Sequence, residues 1–234
     1  MKRRLVILTG AGISAESGIP TFRASDGLWE NHQVEDVATP EGFARDPDLV
    51  HTFYNERRAK LLSSEVAPNA AHRALGDLSK NPDIELTLIT QNIDNLHERG
   101  GVREVIHMHG ELTQGWCTAC STRSPWMQEM SRESRCPACQ TSGAMRVDVV
   151  WFGEIPYQMD RIETALRQTD LFAAIGTSAQ VYPAAGFVQL ARHMGAQCHE
   201  FNLERTAASN QFDQHHFGKA SQTVPAWVAS LKGS

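Results

Sequence analysis

The feature that most constrains the fold of this 234-residue chain is a set of short apolar runs at residues 5–9, 86–90, 105–108, 147–152, 171–175 and 197–201. None alternates apolar with polar residues as a half-solvated strand does. Each therefore reads as a strand covered on both faces, the condition of a parallel sheet between helices. Helical spacing appears between them: Ala71, Ala74, Leu75 and Leu78 recur at i, i+3, i+4 and i+7, as do Phe187, Leu190, Ala191 and Met194. Pro183 stands near the first turn of the second helix and Gly195 at its end. Strands alternating with helices predict an α/β fold, a doubly wound, mainly parallel, Rossmann-like sheet. Two segments break the rhythm. Residues 23–66 are charged, with Pro40, Pro47 and a helical stretch over 49–62, and residues 111–146 hold four of the five cysteines. The expected division is a Rossmann-like sheet domain of residues 1–22, 67–110 and 147–234, with 23–66 and 111–146 forming a smaller lobe, part helical and part cysteine-bearing.

Charge and targeting signals narrow the function. With 22 Lys and Arg against 27 Asp and Glu, the net charge of −5 lacks the basic footprint of a nucleic-acid binder. Arg3-Arg4 before residues 5–8 imitates a signal peptide, but its apolar run of four residues is short of the roughly 7–15 required. No stretch approaches the ~18 apolar residues of a membrane span, so a cytoplasmic protein without a membrane partner is expected.

Cys117-x2-Cys120 and Cys136-x2-Cys139, 15 residues apart, have the spacing of a four-thiolate zinc site. Four sulfur ligands leave no open position, so the metal would be structural and would pin a polar segment with little core of its own. The competing reading is a redox or disulfide pair. Cys198, alone in a strand-like run, reads as a small apolar filler.

Polar clusters follow several of the runs. Gly10-Ala11-Gly12-Ile13-Ser14-Ala15 fits the G-x-G-x-x-G/A form, whose small residues let a pyrophosphate approach the backbone at a helix N-terminus; its plain alternative is a tight turn. No strand ending in an acidic residue follows ~20 residues on, which disfavours an ordinary dehydrogenase. Gly176-Thr177-Ser178 and Asn202-Leu203-Glu204 end two later runs, and Thr90-Gln91-Asn92-Ile93-Asp94-Asn95 ends another. Ligands of such sheets bind beyond the carboxyl ends of the strands, where these clusters belong, although each alone could be a helix cap or an Asx turn. Either His107 or His109 could act as a general base near neutral pH, and spacing does not choose between them.

Taken in order, residues 10–23 (GAGISAESGIPTFR), Thr90-Gln91-Asn92-Ile93-Asp94, His109-Gly110-Glu111, the four cysteines, Phe152-Gly153-Glu154, Gly176-Thr177-Ser178 with Val181 and Pro183, and Asn202 resemble the sirtuins, NAD-dependent protein-lysine deacylases, and among them the bacterial desuccinylase type. The resemblance runs from about residue 5 to 231. It implies that Gly10, Ala11, Gly12 and Ala15 hold the pyrophosphate, with Phe22 and Arg23 over the nicotinamide end. Gln91, Asn92, Ile93 and Asp94 would line the nicotinamide and ribose pocket, with Asn92, Asp94 and the general base His109 as the catalytic set. Gly176, Thr177, Ser178, Asn202, Leu203, Glu204 and Ala220 would surround the adenosine half. The acyl-lysine peptide would lie as an added strand between Val150, Phe152, Gly153 and Glu154 on one side and Val181 on the other. Nicotinamide would leave as the acyl oxygen attacks the ribose, and the products would be free lysine, nicotinamide and O-acyl-ADP-ribose.

Tyr54 and Arg57, three apart on the predicted helix, match the Tyr-x-x-Arg pair of desuccinylase and demalonylase members. A guanidinium offers a fork-shaped, charge-assisted contact that an acetyl methyl cannot use. Read without the family, the pair would be a solvated helix face. Thr21 also departs from the acidic residue that many deacetylase-type members carry there. The resemblance therefore implies removal of succinyl and malonyl groups as well as acetyl, with NAD consumed and one structural zinc per chain. The alternatives are an ADP-ribosyltransferase on the same scaffold and a non-catalytic NAD-sensing module. A monomer is expected, and no protein target is legible.

Overall fold

The computed structural model describes residues 2–21 and 28–231; Phe22 and Arg23 lie outside the described residues. In chain order the elements are β1 (Arg3–Thr9), β2 (Leu28–Trp29), β3 (His32–Gln33), α1 (Val34–Val37), α2 (Pro40–Arg45), α3 (Pro47–Leu62), α4 (Ala70–Leu78) and β4 (Ile84–Thr90). They continue with α5 (Leu96–Arg99), β5 (Val105–His107), β6 (Gly110–Cys117), β7 (Arg123–Pro125), β8 (Met145–Val149), α6 (Met159–Gln168), β9 (Leu171–Ile175), α7 (Phe187–His193), β10 (Gln197–Asn202), β11 (Gln214–Phe217) and α8 (Ala220–Leu231).

Six strands form a parallel sheet in the order β5-β4-β1-β9-β10-β11. The chain builds outward from β1 through β4 to β5, then restarts at β9 on the other side of β1. The carboxyl ends of β1 and β9 therefore flank the point where strand order reverses, the usual ligand crevice of a doubly wound sheet. Side-chain alternation on β1 divides the core. Val6 and Leu8 pack with Ile162, Leu166, Phe187 and Val188 from α6 and α7, whereas Leu5 and Ile7 pack with Leu75, Leu78, Val224 and Val228 from α4 and α8. Burial of each such side chain contributes about 1.5–3 kcal/mol, so the central strands are held from both faces.

The run at 147–152 departs from the expectation of a main-sheet strand. Its first residues belong to β8, which pairs antiparallel with β6 in a separate three-stranded sheet of order β7-β6-β8. All five β8 residues are buried, and α3 supplies part of the cover: Val50, Phe53, Tyr54 and Leu61 share a cluster with Val147, Val149 and Trp151. A continuous apolar run reports burial on both faces but not the sheet that receives it.

Helix α3 starts where the Asp46 side chain accepts from the Leu49 N–H at 3.0 Å, with Pro47 in the first turn. Its Asn55 grips the metal-bearing segment through both the N–H and the C=O of Met130, each at 2.8 Å. Arg58, only 2% exposed, donates to Leu112 O and Gln128 O.

Candidate active site and metal centre

Three glycines close the strand-reversal point. The Gly10 N–H donates to Ile175 O at 3.0 Å, Gly12 N–H to Gly176 O at 2.9 Å and Gly176 N–H to Phe201 O at 2.8 Å. A Cβ on Gly12 would lie 2.7 Å from the Gly176 Cα, and one on Gly176, whose φ is +64°, would lie 2.4 Å from the Ile13 nitrogen. Only glycine lets the loops after β1 and β9 lie backbone to backbone. The turn after Gly10 differs from the expected helix N-terminus. It consists of two single 3-10 turns, Ala11–Ile13 and Ala15–Ser17, ended by Gly18 at φ +85°. Short turns, rather than the dipole of a long helix, therefore border the crevice here.

The crevice opens into a cavity of about 960 Å³. All of the candidate nucleotide, catalytic and substrate residues within the described chain line it: the loops after β1, β4, β9 and β10, His109, Ala220, Tyr54 and Arg57, Val150 to Glu154, and Val181. Thr177 joins two of the loops, its Oγ1 accepting from Gln91 Nε2 and its C=O from Asn202 Nδ2, both at 3.1 Å. Ser14, fully buried beneath the cavity, accepts from Asn92 Nδ2 at 3.1 Å and donates to Asp94 Oδ2 at 2.9 Å. Burial pushes the Asp94 carboxyl upward against the pull of the Leu96 N–H and the Ser14 hydroxyl. Ser14 was part of the glycine-loop motif in the sequence, but nothing in its spacing marked it as the hub of these side chains.

The two histidines left open by spacing have different surroundings. The Nδ1 of His109 lies 3.0 Å from Gln91 O; a carbonyl only accepts, so this nitrogen carries the proton and Nε2 is free to take one. Burial lowers the pKa of His109, which keeps the ring neutral near pH 7. His107 lies off the cavity wall, with Nε2 2.6 Å from Glu98 Oε1. Burial acts to lower its pKa as well, but Glu98 and Glu111 outweigh that and hold it raised.

On α3, the Tyr54 side chain is buried and its oxygen accepts from Trp151 Nε1 at 2.9 Å. Accepting there leaves the phenolic proton available to a ligand. The Arg57 guanidinium is 12% exposed, pairs with Glu30, donates to Phe53 O and lies over the Phe53 ring. Burial lowers its pKa, opposed by Glu30. These are not residues of a solvated helix face. Glu154 reaches the cavity wall, but its carboxylate is committed to Arg146 and to the Trp151 N–H.

The four cysteines converge. Their sulfur atoms lie within 4.8 Å of one another, with Cys117 to Cys139 at 3.7 Å and Cys120 to Cys136 at 3.6 Å. A tetrahedron with Zn–S bonds of about 2.3 Å has edges of about 3.8 Å, so the donor set fits a zinc ion. Each pair is held by the same turn. Cys117 N–H donates to Thr122 O and Ser121 N–H to Cys117 O; Cys136 N–H donates to Thr141 O and Gln140 N–H to Cys136 O. Ser121 and Gln140 both have φ +61°. Contacts from Thr122 pull the Cys120 thiol down to about 6, while burial pushes Cys117 up to about 11. Metal ligation deprotonates both. Cys198 is buried in β10, as an apolar filler should be.

The profile of the Sir2 family matches residues 10–183. An "NAD-dependent protein deacylase" of Pasteurella multocida (strain Pm70) is 53% identical over 228 residues, 97% of each chain. Among solved structures, a Sir2 homologue in complex with NAD has a TM-score of 0.88 at 38% identity, covering 98% of this chain and 90% of that one. A Sir2–p53 peptide–NAD+ structure has a TM-score of 0.83 at 28% identity, covering 99% and 95%. The matched span takes in the strand-reversal crevice, both excursions from the sheet and the four cysteines together, and the chain belongs to the Sir2 family.

Proposed function

We propose that this chain is an NAD-dependent protein-lysine deacylase that removes succinyl and malonyl groups as well as acetyl, acting as a cytoplasmic monomer. No helix among the described residues is long and apolar enough to cross a membrane. The observation that carries the reading is the sharing of one cavity by the glycine crevice, His109 with a free Nε2, and the Tyr54–Arg57 pair. The expected two-part division suits it, because the acyl-binding helix comes from one excursion and the nucleotide loops from the sheet.

The crevice fits NAD because Gly10, Gly12 and Gly176 line the cavity with backbone alone, which a pyrophosphate can approach. NAD supplies a nicotinamide–ribose bond whose cleavage is coupled to acyl transfer. Asn92 and Asp94, ordered through Ser14, fix the nicotinamide end, and Gln91, Thr177 and Asn202 order the loops on the adenosine side. His109 accepts a ribose hydroxyl proton at Nε2 while Gln91 O holds Nδ1–H. Tyr54 donates its hydroxyl, and Arg57 its fork, to the carboxylate at the end of a succinyl or malonyl chain. Acyl-lysine proteins are the partners, entering with extended backbone between residues 152–154 and 181–183.

The test is purified protein with NAD and one peptide carrying succinyl-, malonyl- or acetyl-lysine, read by mass spectrometry. Nicotinamide and deacylated lysine should form one for one, and His109→Ala should abolish both. No nicotinamide release, or label from NAD transferred to protein instead of to a soluble acyl nucleotide, would defeat the reading.

A further inference from the structure

Arg57 already has a carboxylate partner within the chain. Glu30 occupies the turn between β2 and β3 and lines the same cavity as Arg57. Its side chain is 31% exposed and ion-paired with Arg57 Nη2. The other nearby acid, Glu56, is 66% exposed and 3.8 Å away, a solvated neighbour rather than a rival. The hairpin is docked independently of that ion pair, since the Trp29 ring packs edge-on against Phe53 at 5.0 Å and Tyr54 at 6.0 Å. Both turn residues are left-handed, Glu30 at φ +47° and Asn31 at φ +68°. Asparagine suits such a turn and glutamate does not, so a strained residue presents the carboxylate.

The pairing uses one arm of the guanidinium. Nη1 is taken by Phe53 O, Nη2 by Glu30, and the buried Nε–H has no hydrogen-bond partner among the described residues. A ligand carboxylate able to bridge Nε and Nη2 would complete the side-on fork. It would also meet the Glu30 charge at Nη2, and two carboxylates that close disfavour each other.

We propose that Glu30 is a specificity-determining residue, an internal carboxylate that holds Arg57 when the acyl chain brings none and must be displaced by a succinyl or malonyl carboxylate. This rests on the assignment of Arg57 as the acyl-carboxylate clamp. Acetyl-lysine leaves the Glu30–Arg57 pair intact and the pocket neutral. A dicarboxylic acyl group replaces Glu30, and the cost of that exchange sets the ratio between the two substrate classes.

The experiment measures kcat/KM on succinyl- and acetyl-peptides at saturating NAD for the parent, Glu30→Gln, Arg57→Met and the double variant. The ratio of the two values on one sample is independent of the folded fraction. Glu30→Gln should raise the succinyl-to-acetyl ratio by about three- to fivefold, the worth of a partly exposed ion pair, mainly through a lower succinyl KM. Arg57→Met should lower the ratio, and the double variant should match Arg57→Met alone. If Arg57→Met leaves the ratio unchanged, the clamp assignment fails and the proposal with it. If Arg57→Met lowers the ratio but Glu30→Gln leaves it flat or lowers it too, the clamp stands and the Glu30 proposal is overturned.

Discussion

Replacing Tyr54 with phenylalanine separates the bond its hydroxyl makes with Trp151 from the acyl contact proposed for it. The Tyr54 oxygen accepts from Trp151 Nε1 at 2.9 Å, with Tyr54 1% and Trp151 2% exposed. Phenylalanine keeps the ring packing and deletes the acceptor, leaving a buried indole N–H unpaired at a cost of about 1–3 kcal/mol. In a chain of this size each kcal/mol shifts Tm by roughly 2–4 °C, so melting should fall by about 2–12 °C. Adding Trp151→Phe should be less damaging than the sum of the single changes, because it removes the orphaned donor. On the functional side, losing a donor to a ligand carboxylate costs about 1.5–3 kcal/mol, or roughly 10–150-fold in kcat/KM on succinyl-peptide. Thermal melts and steady-state kinetics on succinyl- and acetyl-peptides read both effects. A Tm within about 1 °C of the parent would refute the buried bond, and equal losses on the two peptides would refute the acyl contact.

Acidity and metal provide further tests. Because burial lowers the pKa of His109, the acid limb of kcat/KM should fall below the ordinary imidazole value of about 6.5, and a limb at or above pH 7 would contradict the assignment of the base. His72 and His199, each pushed down to about 4 by burial, stay neutral in the fold while the unfolded chain takes up protons near pH 6.5. Their contribution to stability is complete above that pH and is lost as pH falls towards 4, so Tm should decline from pH 7 to pH 5; a flat profile would argue against it. Metal analysis should give one zinc per chain, chelation should lower Tm, and added zinc should restore it; a metal-free chain melting at the same temperature would remove the structural role.

The glycine crevice was legible because its constraint is written locally. Gly10 and Gly176 sit directly after apolar runs and Gly12 two residues further on, and backbone contact at those points admits no other residue. The cysteine pairs were legible for a similar reason, since the turn that presents two sulfurs to one ion needs a fixed spacing. The small sheet was not. Residues 110–117 of β6 mix Glu, Thr and Gln with Leu and Trp, and β8 is a uniformly buried run that resembles a main-sheet strand. β11, with the sequence Gln-His-His-Phe, is an edge strand with no apolar period to detect. Spacing alone left His107 and His109 equivalent and only the resemblance pointed to His109; the surroundings that differ, Glu98 beside one and Gln91 O beside the other, are not sequence neighbours. Glu30 was passed over because its partner Arg57 lies on a different element.

Helix α3 carries two grips on neighbouring stripes. Tyr54 and Arg57 face the cavity, while Asn55 and Arg58 hold Met130, Leu112 and Gln128 of the metal-bearing excursion. Arg58 has no acidic partner among the described residues; burial draws its pKa down to about 10, and its hydrogen bonds go to carbonyls and to Asn55. Carbonyl contacts of that kind depend on where the backbone runs, so the orientation of the helix is gauged against the segment that the four cysteines organise. The segment that the four cysteines organise thereby serves as the ruler against which the helix bearing Tyr54 and Arg57 is set, while the glycine crevice is built from contacts among the sheet loops alone.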